Sequence, residues 1–218
     1  MYFSLIQKEF NILKIYKYTV GQMGTNCYFA VDENTLETMV IDPGAEFEKI
    51  SSVIKTKGLR VIKILLTHAH FDHMLALEEL RESTSAPLLI HKDDGEQLCN
   101  PEKNLLIRFS GERFSPKPAE MLLSDGDKIT VGNSSFTVMH TPGHTPGSIC
   151  LVSEDTIISG DTLFRESIGR YDFPGGDYNL IMKSLEKIKS LDFNYKILPG
   201  HGPSTHLQHE KQNNLYLQ

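Results

Sequence analysis

The chain has 218 residues, of which 39% are hydrophobic and 23% are charged, and its formal net charge is −6. This length suffices for one well-buried core and falls short of two full-sized domains, so we expect residues 1–218 to form a single domain. The acidic balance argues against binding to nucleic acid or to an anionic membrane surface, because both need basic patches. No stretch approaches the ~20 consecutive apolar residues of a membrane span.

The cysteines are few and widely separated, at Cys27, Cys99 and Cys150. An odd number without a C-x-x-C pair argues against a disulfide framework and against a zinc–thiolate site. The first ten residues show no secretory leader pattern. We therefore expect a cytoplasmic protein.

Strand and helix patterns alternate along the first hundred residues. Short apolar runs rich in β-branched residues predict strands, and apolar residues at helical spacing predict helices, the first of which ends at Gly58. Asp72 is placed to cap the second helix. The predicted strands span 13–20, 27–31, 38–41, 61–66 and 87–90, and the predicted helices span 46–57, 72–83 and 92–99.

The second half of the chain begins with an irregular segment. Residues 100–120 contain three prolines, one glycine and mixed charge, which predicts a loop or flap. Further strands are predicted at 128–131, 135–139, 149–152, 156–159 and 195–198, with helices at 177–190 and after 205. This order predicts an α+β fold, a four-layer αβ/βα sandwich of two mixed sheets with helices outside, preceded by a short N-terminal extension at 1–13.

Three histidines and an aspartate lie within six residues, directly after the predicted strand 61–66. They are His68, His70, Asp72 and His73. Residues two apart in an extended segment point to the same side, which brings His68 and His70 together. Asp72 and His73 open the next helix, where the chain turns back toward the same cavity. Imidazole and carboxylate groups are suitable ligands for zinc, iron or manganese, so this segment predicts a metal site.

Three further segments place a histidine or an acid at the end of a strand. Two Pro-Gly steps bracket His144 and predict a tight, rigid loop. Asp161 follows a strand beside a glycine, and His201 lies between two glycines after another strand. Taken alone, each segment is also compatible with an ordinary turn. With the first cluster, they supply five histidines and two aspartates, about the number that two metals with shared ligands require.

The motifs T-H-x-H-x-D-H, T-P-G-H-T-P-G-S, G-D and P-G-H occur in this order between about residues 14 and 206. Together they resemble the metallo-β-lactamase superfamily. The resemblance implies two metal ions bridged by Asp161. It implies one ligand set of His68, His70 and His144 and a second of Asp72, His73 and His201.

Within the superfamily, the chain resembles the short bacterial branch of the hydroxyacylglutathione hydrolases, or glyoxalase II. The likeness lies in the segments 22–28 and 161–177. It implies that Asp42 orients the metal loop and that Arg170 and Tyr171 contact the substrate. The chain departs from the family at residues 74–76, where Met-Leu-Ala replaces the common Ile-Gly-Gly without loss of a ligand.

The reaction implied by the resemblance is hydrolysis of a small-molecule thioester such as S-D-lactoylglutathione, by a protein that we expect to be a monomer or a small homo-oligomer. Two divalent ions, most simply Zn²⁺ with iron or manganese as alternatives, lower the pKa of a shared water toward ~7. The resulting hydroxide attacks the thioester carbonyl, with Asp72 and Asp161 as the carboxylates that act in catalysis. The thiolate is a good leaving group, so no strong general acid is needed.

Other activities use the same residues. A persulfide dioxygenase of this superfamily would hold one Fe(II) with His68, His144 and Asp161. A lactonase or a β-lactamase would use both ligand sets, whereas a nuclease is disfavoured by the acidic charge. A metal-binding or signalling module without catalysis would have no need for an open two-metal centre.

Overall fold

A computed structural model of the chain describes residues 13–111 and 115–218. The predicted N-terminal extension therefore lies outside the described residues, apart from Leu13. The strands are β1 (Leu13–Val20), β2 (Thr25–Asp32), β3 (Glu37–Ile41), β4 (Arg60–Leu65), β5 (Leu88–His91), β6 (Met121–Leu123), β7 (Lys128–Val131), β8 (Ser134–His140), β9 (Ile149–Val152), β10 (Thr156–Gly160), β11 (Leu163–Phe164), β12 (Ser167–Ile168), β13 (Lys196–Pro199) and β14 (Thr205–His206). The helices are α1 (Phe47–Lys57), α2 (Leu77–Thr84), α3 (Gly95–Leu98), α4 (Leu106–Ser110), α5 (Tyr178–Lys189) and α6 (Leu207–Asn213).

Two six-stranded mixed sheets form the centre of the fold. The first has the strand order β1-β2-β3-β4-β5-β6 and the second has the order β14-β13-β10-β9-β8-β7, while β11 and β12 form a separate hairpin. In the first sheet, β3, β4 and β5 run parallel, because α1 and α2 carry the chain back between them. In the second sheet, only β10 and β13 run parallel.

Apolar side chains fill three layers, one between the sheets and one beneath the helices on each side. Tyr28 and Met39 of the first sheet meet Phe136 and Leu151 of the second in the central layer. Beneath α1 and α2, a second cluster packs on the outer face of the first sheet, and a third lies between the second sheet and α5 and α6. The predicted four-layer α+β sandwich is therefore confirmed.

The start of the second helix differs from the prediction. Asp72 lies in a 3-10 turn, Phe71–His73, and α2 begins only at Leu77, with Ala76 as its N-cap and no side-chain cap. The Asp72 carboxylate accepts a hydrogen bond from Thr25 Oγ1 at 3.2 Å instead, so it faces β2 and not the helix. The segment 100–120, predicted as a loop or flap, contains α4, and residues 112–114 lie outside the described part.

Across the described ranges, none of the helices has both the length and the apolar character needed to cross a membrane.

Candidate metal centre

The seven residues with metal-binding side chains meet at one edge of the two sheets, where four strands end. The loop after β4 supplies four of them, the loop between β8 and β9 one, and the ends of β10 and β13 one each. Five are buried and two are partly buried. The set consists of His68, His70, Asp72, His73, His144, Asp161 and His201.

Three histidines form the first group. The ring nitrogens His70 Nδ1 and His144 Nε2 are 2.9 Å apart. The ring of His68 lies 4.8 Å from that of His70 and 4.7 Å from that of His144, with edge-to-face angles of 88° and 74°. One nitrogen from each of the three lies within 4.8 Å of the others. Mutually inclined rings with converging nitrogens are the arrangement that a shared metal ion requires.

The second group joins Asp72, His73 and His201. The two histidine Nε2 atoms are 3.2 Å apart, and His201 Nε2 is 3.2 Å from Asp72 Oδ2. His73 Nε2 lies 3.7 Å from the same carboxylate oxygen. This group therefore offers two imidazoles and one carboxylate, a mixed donor set that suits zinc, iron or manganese.

Asp161 lies between the two groups. Its Oδ2 is 3.6 Å from His144 Nε2 of the first group and 3.5 Å from His201 Nε2 of the second. Its Oδ1 is 3.5 Å from His73 Nε2 and has no hydrogen-bond partner, although it is buried. A buried carboxylate oxygen without a partner is costly unless a cation fills the space before it. The geometry therefore fits a carboxylate shared by two metal ions.

Hydrogen bonds to Asp42 orient two of the histidines. Thr67 donates its backbone N–H to Asp42 Oδ1 at 2.8 Å and its hydroxyl to Oδ2 at 2.7 Å. His73 Nδ1 donates to Asp42 Oδ2 at 3.0 Å. Because the Thr67 hydroxyl proton is already used, His68 Nδ1, 3.1 Å from Thr67 Oγ1, is the donor in that contact. The lone pairs of His68 and His73 therefore sit on Nε2, and His68 Nε2 is buried without a partner.

Backbone carbonyls orient two more histidines in the same way. His144 Nδ1 donates to the carbonyl of Arg170 at 2.6 Å, and His201 Nδ1 donates to the carbonyl of Met23 at 3.2 Å. Both leave Nε2 free to bind a cation. In each of these histidines, an outer hydrogen bond fixes the tautomer that a metal ligand needs.

Burial and charge set the protonation of the cluster. Burial lowers the pKa of His68 and of His70 well below the ordinary histidine value, which keeps both imidazoles neutral. Burial also disfavours charge on His73, but the carboxylates of Asp161, Asp72 and Asp42 outweigh it and raise its pKa to about 10. These three carboxylates, two of them buried and that of Asp72 partly buried, therefore favour positive charge beside them, and a divalent cation would supply it in place of the proton.

The comparisons with known proteins agree with this geometry. Residues 20–201 match the family model described as the metallo-beta-lactamase superfamily. The chain belongs to this superfamily. As a metallo-β-lactamase-fold protein with a His/Asp cluster at the strand ends, it is a metal-dependent hydrolase with a site for two divalent metal ions.

Two relatives illustrate the range of names within the superfamily. The chain is 37% identical over 201 residues to "Probable metallo-hydrolase YqgX" of Bacillus subtilis, with 91% of this chain and 94% of the relative covered. It is 30% identical over 196 residues to "Hydroxyacylglutathione hydrolase GloC" of Haemophilus influenzae, with 88% and 92% covered.

Two solved structures of the superfamily have the same fold. The BLEG-1 B3 metallo-β-lactamase superposes with a TM-score of 0.89 at 36% identity, over 94% of this chain and 99% of the other. A di-iron-bound form of TTHA1623 superposes with a TM-score of 0.81 at 36% identity, over 93% and 100%. Both cover nearly the whole chain.

The N-terminal motif of this superfamily member anchors the loop that carries His201. Asn26 donates its side-chain amide to the carbonyls of Pro199 and Gly202, each at 2.9 Å. The hydroxyl of Tyr28 donates to Pro199 as well, at 2.6 Å. Strand β2 of one sheet therefore holds the ligand loop that follows β13 of the other sheet.

Close packing explains the glycine that precedes His201. A Cβ atom on Gly200 would lie 2.1 Å from Asp161 Oδ1 and 2.9 Å from the ring of His73. Any larger residue would therefore displace the carboxylate between the two groups. The glycine of the Pro-Gly-His motif is therefore needed because Asp161 and His73 pack directly against its backbone, and not only because it forms a turn.

The sequence did not reveal Asp94, a buried acid that links two ligand loops. Its Oδ2 accepts hydrogen bonds from the backbone N–H of Ala69 at 2.9 Å and from Thr145 Oγ1 at 2.7 Å. Its Oδ1 accepts from the N–H of Gly147 at 2.6 Å. Asp94 thus joins the loop of His68 and His70 to the loop of His144. In sequence it is one of two adjacent aspartates after a strand, with no signal that separates it from Asp93.

The predicted substrate residues lie at the rim of the site. The guanidinium group of Arg170 is exposed and pairs with Asp172, while its backbone carbonyl contacts His144. The ring of Tyr171 is 38% exposed and lies 5.0 Å from that of Tyr178. The backbone of Arg170 thus contacts a candidate ligand, while the side chains of Arg170 and Tyr171 remain accessible.

A further His/Asp group, His91, Asp93 and His140, lies apart from this centre. The rings of His91 and His140 stack nearly parallel, with centroids 4.0 Å apart and an angle of 14°, unlike the mutually inclined rings of the metal centre. His140 Nε2 lies 2.8 Å from the carbonyl of Pro146 and must carry its proton to donate there. That nitrogen therefore cannot bind a metal ion, so this group lacks one of the three donors that a metal site would need.

Removal of the Asp42 carboxylate is expected to weaken metal binding. In Asp42→Asn, an amide group replaces one acceptor oxygen, so at least one of the hydrogen bonds from Thr67 and His73 is lost. We expect metal affinity to fall roughly 10- to 100-fold, as is usual for the partners of metal ligands. Competition with a coloured chelator measures this affinity. The matched control is Asp155→Asn, an exposed acid, and equal affinities in the two variants would contradict the role of Asp42.

Proposed function

We propose that the protein is a thioesterase of the hydroxyacylglutathione hydrolase type, which cleaves S-D-lactoylglutathione or a related small-molecule thioester. The proposed cofactors are two divalent ions, most simply Zn²⁺, with iron as an alternative because a structural relative is di-iron-bound. The relative GloC, at 30% identity, supports the thioester substrate. We also propose a cytoplasmic location, which the free thiols of Cys27, Cys99 and Cys150 support.

The proposal rests on the position of Asp161, which lies between two groups of metal-binding side chains. His68, His70 and His144 would hold one ion, and Asp72, His73 and His201 the other. When bound, the ions supply Lewis acidity that polarises a carbonyl and activates water. The protein itself contributes imidazoles that are oriented by outer hydrogen bonds, and carboxylates that already lie close to them.

The second group disfavours the persulfide dioxygenase alternative. That activity needs only His68, His144 and Asp161, which would bind one iron ion. It does not require the second group, which consists of Asp72, His73 and His201. The second group is nevertheless as closely arranged as the first, with 3.2 Å contacts from His201 to His73 and to Asp72. A second candidate function is β-lactam hydrolysis, which the superposition on BLEG-1 favours.

The decisive experiment combines metal analysis with an assay of the same sample. Purified protein loaded with Zn²⁺ is expected to bind two ions per chain and to hydrolyse S-D-lactoylglutathione. The loss of thioester absorbance measures the rate of this hydrolysis. His144→Ala should lose metal and activity together, whereas His209→Ala, outside the site, should retain both. A β-lactam, a lactone panel, and oxygen uptake with glutathione persulfide test the alternatives.

Each failure has a separate meaning. A sample with two ions per chain that hydrolyses no thioester overturns the thioesterase proposal and leaves the ligand assignment standing. Retention of full metal content and activity in His144→Ala overturns the ligand assignment itself. Oxygen uptake with a persulfide, without hydrolysis, would replace the proposal with the dioxygenase.

A further inference from the structure

Two arginines flank one aromatic ring beside the candidate metal centre. The guanidinium carbon of Arg170 lies 3.9 Å from the ring centroid of Phe173, and that of Arg108 lies 5.4 Å from it. The same ring packs edge-to-face on His70, with centroids 5.8 Å apart. Both positive charges are therefore only one aromatic ring away from a candidate metal ligand.

The segment that carries Arg170 is fixed against the centre. Its backbone carbonyl accepts the hydrogen bond of His144 Nδ1 at 2.6 Å. The preceding residue, Gly169, packs so closely that a Cβ atom would lie 1.7 Å from the backbone oxygen of Asp161. Arg170 and Phe173 therefore hold a defined position relative to the metal ligands, although their loop is at the surface.

The two arginines differ in their partners. Arg170 makes a two-pronged ion pair with Asp172, at 2.8 and 2.7 Å, which largely cancels its charge. Hydrogen bonding to Arg170, with a contribution from the charge of Arg108, lowers the pKa of Asp172 to about 2. No carboxylate within the described ranges comes within ion-pair distance of Arg108, which is exposed. These three groups thus carry one net positive charge, in a chain whose formal net charge is −6.

An aromatic surface adjoins these charges. Phe109 stacks on Phe71 with ring centroids 5.2 Å apart, and it meets Phe173 edge-to-face at 6.1 Å. Phe109 is 48% exposed, whereas Phe71, directly before Asp72 in the chain, is buried. The rim thus offers an apolar face for the aliphatic part of a ligand and a guanidinium group for its anionic end.

We propose that Arg108, together with Arg170 and Phe173, forms a subsite for a carboxylate of the thiol half of the substrate. The inference rests on the proposed thioesterase function and assigns the class of thiol, one that bears a carboxylate. Arg108 is then a residue that determines specificity and takes no part in the chemical step. Arginine suits this role because its planar fork pairs with a carboxylate while its face stacks on an aromatic ring.

Two thioesters with the same D-lactoyl group test the subsite, one of glutathione and one of the uncharged thiol N-acetylcysteamine. In Arg108→Gln, we expect KM for the glutathione thioester to rise roughly 10-fold or more, since a hydrogen bond to a charged group is lost. The value of kcat should change little, and neither constant should change for the neutral thioester. The matched control is Arg60→Gln, at the far end of β4, which should behave as wild type.

A binding measurement keeps the inference independent of catalysis. Calorimetric titration of the metal-loaded protein with S-methylglutathione should show weaker binding in Arg108→Gln and partial recovery in Arg108→Lys. The diethyl ester of S-methylglutathione should bind wild type and Arg108→Gln alike.

The outcomes separate the two proposals. If the wild type hydrolyses both thioesters and Arg108→Gln raises KM for both equally, the carboxylate subsite is wrong and the thioesterase stands. If the wild type hydrolyses neither, the proposed function fails, and the titration alone decides whether the subsite exists. A larger effect of Arg108→Gln on KM for a coenzyme A thioester than on KM for the glutathione thioester would show that the subsite binds a phosphate. That result would overturn the proposed carboxylate subsite.

Discussion

Replacing Asp161 with asparagine is expected to abolish measurable hydrolysis and to reduce the bound metal from two ions per chain to one or none. Asp161 lies 3.5 and 3.6 Å from histidines of the two groups, so among the seven candidate ligands it is the carboxylate placed to neutralise two cations at once. An amide of the same shape removes that charge while it preserves the packing against Gly200. Transition-state stabilisation by metal ions amounts to several kcal/mol, which corresponds to roughly a thousandfold in rate.

Metal content, thioesterase rate and thermal melting with and without a chelator measure the effect on the same protein. The chelator should lower the melting temperature of the wild type, because ions that bind only the folded state stabilise it, and it should affect Asp161→Asn less. Asp155→Asn serves as the control for a lost surface charge. An Asp161→Asn protein that binds two ions with unchanged affinity would show that Asp161 does not link the two groups.

The sequence was sufficient to predict the main strands because their signals are local. The apolar run at 61–66 and the structure's Arg60–Leu65 differ by one residue at each end. Strands such as β6, β11 and β12 have only two or three residues, too few for an alternation of apolar and polar positions to be visible. Helix α2 begins later than predicted because Asp72, a residue type that often caps helices, contacts Thr25 instead.

The candidate ligands could be recognised because metal chemistry restricts them to few residue types, and each follows a recognisable strand. Residues that hold the ligands in place have no such restriction. Asn26 acts through its side-chain amide, and in the sequence it cannot be distinguished from an asparagine that forms a turn. Asp94 differs from its neighbour Asp93 by its burial, which the sequence does not show. Arg108 reaches Phe173 from a segment 65 positions away in the chain, and no local pattern predicts that approach.

Replacing Asp94 with asparagine is expected to weaken the three-histidine group more than the second group. Asp94 receives three hydrogen bonds, from Ala69, Thr145 and Gly147, and these donors belong to the two loops that carry that group. An asparagine has one acceptor oxygen in place of two, so at least one buried donor loses its partner. Because hydrogen bonds to charged groups contribute about 1.5–3 kcal/mol each, we expect a loss of roughly 2–4 kcal/mol in folding free energy.

The neighbouring acid provides a matched control, since Asp93 is exposed and contacts neither loop through such bonds. Asp93→Asn should leave stability and metal binding unchanged. Stepwise titration with Zn²⁺ should show one weakened and one nearly normal site in Asp94→Asn, with kcat reduced and KM little altered. A purely structural role for Asp94 predicts a different result, in which both sites weaken equally and only the folding free energy falls. Unequal loss at the two sites therefore distinguishes an acid that positions His68, His70 and His144 from one that only stabilises the fold.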